Sequence, residues 1–198
     1  MTEPRFSMGE AVRFGWHTVT GNLGTFATAI IIIVVMNVFP VFFDSPVVAI
    51  VSWIFTMIVT LGIMRISLRF VDGETGELAD LFATLPLVAG YLIASIFAGI
   101  AAGIAVIFLI IPGIYVGIRL QFYAWVIVDR GTGPFQALEQ SWAITRGSVW
   151  RLFLFALLLG VVNLLGLLAL GIGLLVTMPM ALVALAHVYR SLARGAGD

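Results

Sequence analysis

The chain has 198 residues, 62% of them hydrophobic and 10% charged, with a formal net charge of zero. A soluble domain averages about 45–50% apolar and about 25% charged residues, so a water-soluble fold is excluded and a mean hydropathy of +1.16 makes lipid the solvent. Zero net charge argues against nucleic acid as a partner, and the absence of cysteine excludes disulfides, thiolate zinc sites and a cysteine nucleophile.

The first predicted element is an amphipathic helix over 6–20. Met8, Val12, Gly15, Trp16 and Val19 share one helical stripe, and Glu10, Arg13, His17 and Thr20 the opposite one. The charges scattered through 1–22 do not fit a cleavable signal. Two apolar runs follow, 23–43 and 47–70, separated by Pro40 and the turn Phe43-Asp44-Ser45-Pro46. Each is long enough for a hydrocarbon core about 30 Å thick, which takes about 20 helical residues. Segment 76–85 is a weaker amphipathic stretch. Runs 87–111 and 113–129 come next, and the break between them is predicted at Pro112-Gly113. Over 134–147 a second amphipathic helix opens on Pro134, with Phe135, Leu138, Ser141, Trp142 and Thr145 on one face. Its other face carries Gln136, Glu139, Gln140 and Arg146. Runs 150–170 and 172–190 close the series, split at Gly171-Ile172-Gly173.

The expected fold is therefore an all-α integral membrane protein. Six transmembrane helices form three hairpins in one transmembrane domain, with two or three interfacial helices. Arg5, Arg13, Arg65, Arg69, Arg130, Arg146, Arg151, Arg190 and Arg194 all fall on one side, and the other side's loops hold only Asp44. The positive-inside rule makes the arginine side cytoplasmic, with both termini there. Trp16, Trp142 and Trp150 are the expected anchors at headgroup depth. A shift of 126 residues pairs Ala11 with Ala137, Gly15 with Ser141 and Trp16 with Trp142. It also pairs Asn22 with Ser148 and Asn37 with Asn163. This suggests a parallel repeat of an interfacial helix plus a hairpin, rotated about the membrane normal.

Few residues offer chemistry. Arg119 lies six residues beyond Gly113, roughly 9 Å below the outer end of its helix. An arginine at such depth faces protein or water. It is read either as a site for an anionic headgroup or solute, or as an interhelical clamp paired with Asp44 or with carbonyls freed near Pro112. Asn37 and Asn163 are read as interhelical hydrogen-bonding groups, or as lining of an outer-facing cavity with Arg119. Gly99 with Gly103 and Gly113 with Gly117 have the four-residue spacing of close helix packing, within the hairpin or at a homo-oligomer seam. His17 and His187 lack a second metal ligand, and no triad, mid-membrane carboxylate or phosphate-binding loop occurs. No enzyme, metal or cofactor is expected.

From Ile110 to Trp150 the chain resembles a widespread group of uncharacterised bacterial membrane proteins. That group is related to the membrane domain of some glycerophosphoryl diester phosphodiesterases. The resemblance rests on Ile111-Pro112-Gly113-Ile114-Tyr115, Arg119-Leu120, Val126-Ile127-Val128-Asp129 and Gly133-Pro134. It continues through Ala137-Leu138, Ser141-Trp142, Thr145-Arg146-Gly147, Met178-Pro179-Met180 and Tyr189-Arg190. It implies a six-helix bundle with an interfacial helix after the fourth span, and a bacterial inner membrane, but no phosphodiesterase activity. The functional expectation is a non-enzymatic membrane-complex subunit, scaffold or lipid-interacting module. Its partners would be membrane lipid, further copies or other membrane subunits. The alternative is a transporter or channel for a small solute or lipid, with an outer-facing site around Arg119.

Overall fold

A computed structural model describes residues 6–43, 45–108, 110–169 and 171–195. Arg5 and Asp44 lie outside the described residues. All regular structure among the described residues is helical. Helix α1 (Met8–Gly21) starts where Ser7, in extended backbone, accepts the Glu10 N–H at 3.4 Å. Helix α2 (Leu23–Val38) runs into a 3-10 turn over Phe39–Phe42, and α3 (Pro46–Val71) opens on its proline. Then come α4 (Val88–Phe108), α5 (Ile110–Leu120), α6 (Tyr123–Arg130), α7 (Pro134–Ile144), α8 (Val149–Leu168) and α9 (Leu174–Arg194). Six helical stretches are long and apolar enough to cross a membrane: Leu23–Phe42, Pro46–Val71, Leu78–Val106, Ile110–Arg130, Val149–Leu168 and Leu174–Arg194.

Three local expectations are corrected. The third and fourth runs do not part at Pro112-Gly113, because α5 already begins at Ile110. Pro112 therefore sits in a first helical turn, where its missing N–H has no partner to lose. The fourth run is not one helix. It breaks at Gln121-Phe122 into α5 and α6, with no proline or glycine at the break. Segment 76–85 forms no amphipathic helix but two 3-10 turns around Leu78–Leu81 and Leu85–Leu87. There the Asp80 carboxylate accepts the Glu77 N–H at 2.9 Å and closes a capping box. The glycine break before α9 exists, and Gly171 turns it with φ +76.

Helix α2 packs on α3, α4 on α5 and α8 on α9. The short segments dock elsewhere. The one before α2 (α1) lies mainly on α9, the Leu78–Leu81 turn before α4 lies on α3, and α7, before α8, lies on α6 and α4. Each rests on a helix of a pair other than the one it leads. Ala11, Gly15 and Val19 form the buried stripe of α1, and 126 residues later Ala137, Ser141 and Thr145 are buried in the same positions of α7. Asn22 and Ser148, also 126 apart, are the N-cap residues of α2 and α8.

The core is concentrated at one end of the bundle, where α3, α6 and α9 finish. Val59, Leu61, Ile63 and Ile66 meet Trp125, Val126 and Ile127, and Val183, Val188, Tyr189 and Leu192 complete the packing. The far halves of the helices leave Val34, Val38, Val51, Ile100, Ile104, Leu164 and Leu168 exposed. An apolar surface of this extent is stable where lipid or protein covers it.

Candidate functional site

The site is built at the break between α5 and α6. Helix α7 crosses it and supplies the hydrogen bonds that the interrupted helix lacks. The Phe122 N–H donates to Ser141 Oγ at 3.1 Å, and that hydroxyl donates to the Arg119 carbonyl at 2.9 Å. Thr145 Oγ1 lies 3.3 Å from the same carbonyl and 2.8 Å from the carbonyl of Ser141. A side chain inserted into the helical ladder is one of the identifiable causes of a kink. Ser141 and Thr145 are fully buried, so these bonds satisfy groups that water cannot reach.

This arrangement fixes Arg119 at the C-terminal end of α5, where it is 4% exposed. Its guanidinium carbon stands 4.3 Å from the Trp142 ring centroid and 5.7 Å from that of Tyr115. Such cation–π contacts strengthen when desolvated. None of the ion pairs formed among the described residues includes Arg119. Its Nε is buried without a hydrogen-bond partner. A cavity of about 740 Å³ adjoins it, lined by Tyr115, Arg119, Glu139, Trp142, Ala143, Arg146 and Gly195. Chemically the site is a buried cation held between two aromatic faces, open on one side to a polar cavity.

The alternative outer-facing cluster does not form among the described residues. Arg119 lies beside α7, far along α5 from the turn at Ile110, because the kink turns it toward Ser141 and Trp142. Neither Asn37 nor Asn163 lines its cavity. Asn37 instead donates to the Ile33 carbonyl at 2.8 Å and to Thr56 Oγ1 at 3.3 Å, joining α2 to α3. Asn163 Oδ1 is buried without a partner. The proposed pairing of Arg119 with Asp44 falls outside the described residues. Of the glycines expected in helix packing, Gly113 makes a close approach within the chain. A Cβ there would meet Val106, whereas at Gly99, Gly103 and Gly117 nothing among the described residues lies within 4 Å. The buried small residues of α4 are Ala94 and Ala98, one stripe away. Trp16 and Trp150 are 49% and 69% exposed, while Trp142 is partly committed to Arg119.

A second polar centre ties the ends of α3, α6 and α9. Arg190 reaches Asp129 at 2.7 Å with one nitrogen and Asp72 at 2.6 Å with the other. Tyr189 donates its hydroxyl to Asp129 at 2.8 Å. Arg69 bridges Asp80 and Glu74 nearby. Counting arginines for orientation overlooks this network, since that rule gives acids no weight. The readable signal was Tyr189-Arg190, adjacent in sequence, with unassigned Asp72 and Asp129 at two helix ends. Among the described residues no cluster of His, Asp and Glu is placed to hold a metal ion.

Fold and composition define the class: an all-helical membrane protein with six helices long and apolar enough to span. The chain belongs to the family described as a domain of unknown function (DUF7847), whose family model matches residues 47–196, from α3 onward. The match includes both Arg119 and the Arg190 network. No curated protein and no solved structure matches the chain.

Proposed function

We propose that the protein is a non-enzymatic, lipid-interacting module of the bacterial inner membrane that holds an anionic headgroup at Arg119. The observation that carries this reading is the buried Arg119 guanidinium. It has aromatic but no carboxylate partners among the described residues, and a polar cavity lies beside it. Burying a cation without a counter-ion is costly, and a ligand phosphate removes the cost.

A purely structural clamp is the rival explanation, and an internal comparison speaks against it. Gly15 of α1 lies against the backbone of Met180 and Ala184 in α9. Ser141, 126 residues later, lies against the backbone of Arg119 and Phe122. In each joint the crossing residue meets a backbone carbonyl, that of Met180 in one and that of Arg119 in the other. The α1 joint closes on a neutral thioether, so docking a segment of this kind does not require a cation. The transport reading lacks comparable support: the cleft leading along α5 from Tyr115 is lined by Ile111, Ile114, Ile118, Val149, Trp150 and Phe153 and offers no polar route.

In this reading three units, each a short segment and a hairpin, surround a common axis. The segments α1 and α7 lie in the cytoplasmic interface, with exposed Trp16 and Trp150 at headgroup depth. Both ends of the chain are then cytoplasmic. Reporters that are active only in the periplasm should stay silent when fused at residue 8 or 195, and a periplasmic signal from either end would reverse the orientation.

For the site itself, the test is phosphatidylglycerol binding to the protein in phosphatidylcholine nanodiscs, read by native mass spectrometry. Arg119→Gln is expected to weaken it by about tenfold, the worth of one charge-assisted contact. Equal binding by both proteins would remove Arg119 from the reading.

A further inference from the structure

The cavity beside Arg119 shares one lining residue, Tyr115, with a second cleft of different chemistry. That cleft has a volume of about 470 Å³ and lies between α5 and α8. Ile111, Ile114 and Ile118 supply its α5 wall, and Val149, Trp150 and Phe153 its α8 wall. The three isoleucines stand at i, i+3 and i+7 on one helical face. Tyr115 lines both spaces. From Arg119 the cleft follows α5 toward Ile111, roughly 12 Å away at 1.5 Å per residue. It leaves the end of the bundle that carries Arg119, Arg146 and Arg151 and runs into the apolar half.

We infer that the ligand is a single anionic glycerophospholipid, seated with its phosphate beside Arg119 and one acyl chain in the α5–α8 cleft. This rests on the Arg119 reading above and adds a chain subsite to it. Charge complementarity sets the occupant's head: Arg119 is buried at this cavity and forms no ion pair among the described residues. The order of surfaces fixes its orientation. A lipid of the leaflet at the arginine end presents charge first and tail second along the same line. Neighbouring lipid tails are as apolar as isoleucine, so the cleft adds no hydrophobic driving force over bulk lipid. It contributes packing against Trp150 and Phe153, and so selects a chain that reaches it. A soluble anion or a headgroup alone would use only the Arg119 half.

The experiment uses the full chain in phosphatidylcholine nanodiscs, with long-chain phosphatidylglycerol and its dihexanoyl analogue as probes. Ile114→Trp and Ile111→Trp fill the cleft from exposed positions. Ile104→Trp, exposed on α4 outside the cleft, is the control. Either cleft variant should weaken retention of the long-chain lipid by about three- to tenfold and leave the dihexanoyl analogue within about twofold, because only packing contacts are lost. Ile104→Trp should change neither. Arg119→Gln should weaken both probes. If both cleft variants that fold bind the long-chain lipid like the parent while Arg119→Gln does not, the chain subsite is wrong and the headgroup reading stands. If neither probe responds to Arg119→Gln, the headgroup reading fails and the chain subsite fails with it.

Discussion

Arg190→Ala is expected to destabilise the protein by about 3 kcal/mol, the scale of breaking a largely buried ion pair from one side. Arg190 is 21% exposed at its side chain, Asp129 14% and Asp72 32%, so solvent screens the network only in part. Removing the guanidinium leaves Asp72 and Asp129, at the ends of α3 and α6, without their shared partner, while Asp129 keeps the Tyr189 hydroxyl at 2.8 Å and Arg130 at 3.8 Å. The damage comes from the stranded charges more than from the lost attraction. Asp129→Asn should therefore offset part of it. The double variant is expected to lose about 1–2 kcal/mol less than the sum of the single changes. Denaturant unfolding in mixed micelles reads this directly. Strictly additive costs would show that the three helix ends are held by packing alone.

Gly15→Leu should be at least as harmful. A Cβ at residue 15 would lie 2.6 Å from the Met180 carbonyl oxygen and 3.2 Å from the Ala184 nitrogen. Both are backbone atoms of a packed helix and cannot turn aside. The remaining course is for α1 to lift from α9, exposing Ala11, Val19 and the groove they fill. Overpacking of this kind costs typically about 1–3 kcal/mol and more when a whole element is displaced. Gly9→Leu, on the same helix with nothing within 4 Å of its Cβ, is the control and should stay within about 0.5 kcal/mol. Cleavage after Arg13 by trypsin offers a second readout, fast only in the lifted helix. Equal protection of both variants would mean that α1 does not depend on this contact.

The six apolar stretches were legible because hydropathy and length are properties of a contiguous segment. The buried stripes of α1 and α7 were legible in part: helical spacing places Gly15, Val19, Ser141 and Thr145 on the faces read, but Ala11 and Ala137 are buried off them and Phe135 is exposed. What the sequence hid were relations between segments. Nothing in Arg119-Leu120-Gln121-Phe122 announces a break, because the break is made by Ser141 and Thr145 arriving from another helix. Arg119 was recognised as unusual, but its depth was measured from a turn placed at Pro112. Its aromatic partner Trp142 had been assigned to headgroup depth. The glycine pairs show another side of the same gap. Gly99 and Gly103 have the spacing of a packing face, yet α5 approaches α4 at Val106 and Gly113 instead. Spacing shows where a close approach is permitted, and only the neighbouring helix decides whether it occurs. The Arg190 network joins residues 118 positions apart in the case of Asp72, beyond the reach of any local pattern.

The docking of α1 on α9 also constrains how the chain is made. During synthesis α1 emerges before its seat exists, because Met180 and Ala184 belong to the last long helix. In the interfacial placement proposed above, α1 waits on the membrane surface through the insertion of the intervening helices. The Leu78–Leu81 turn and α7 face no such delay, since α3 and α6 precede them in the chain. Assembly can therefore proceed in order through most of the bundle, with α1 taking its place last.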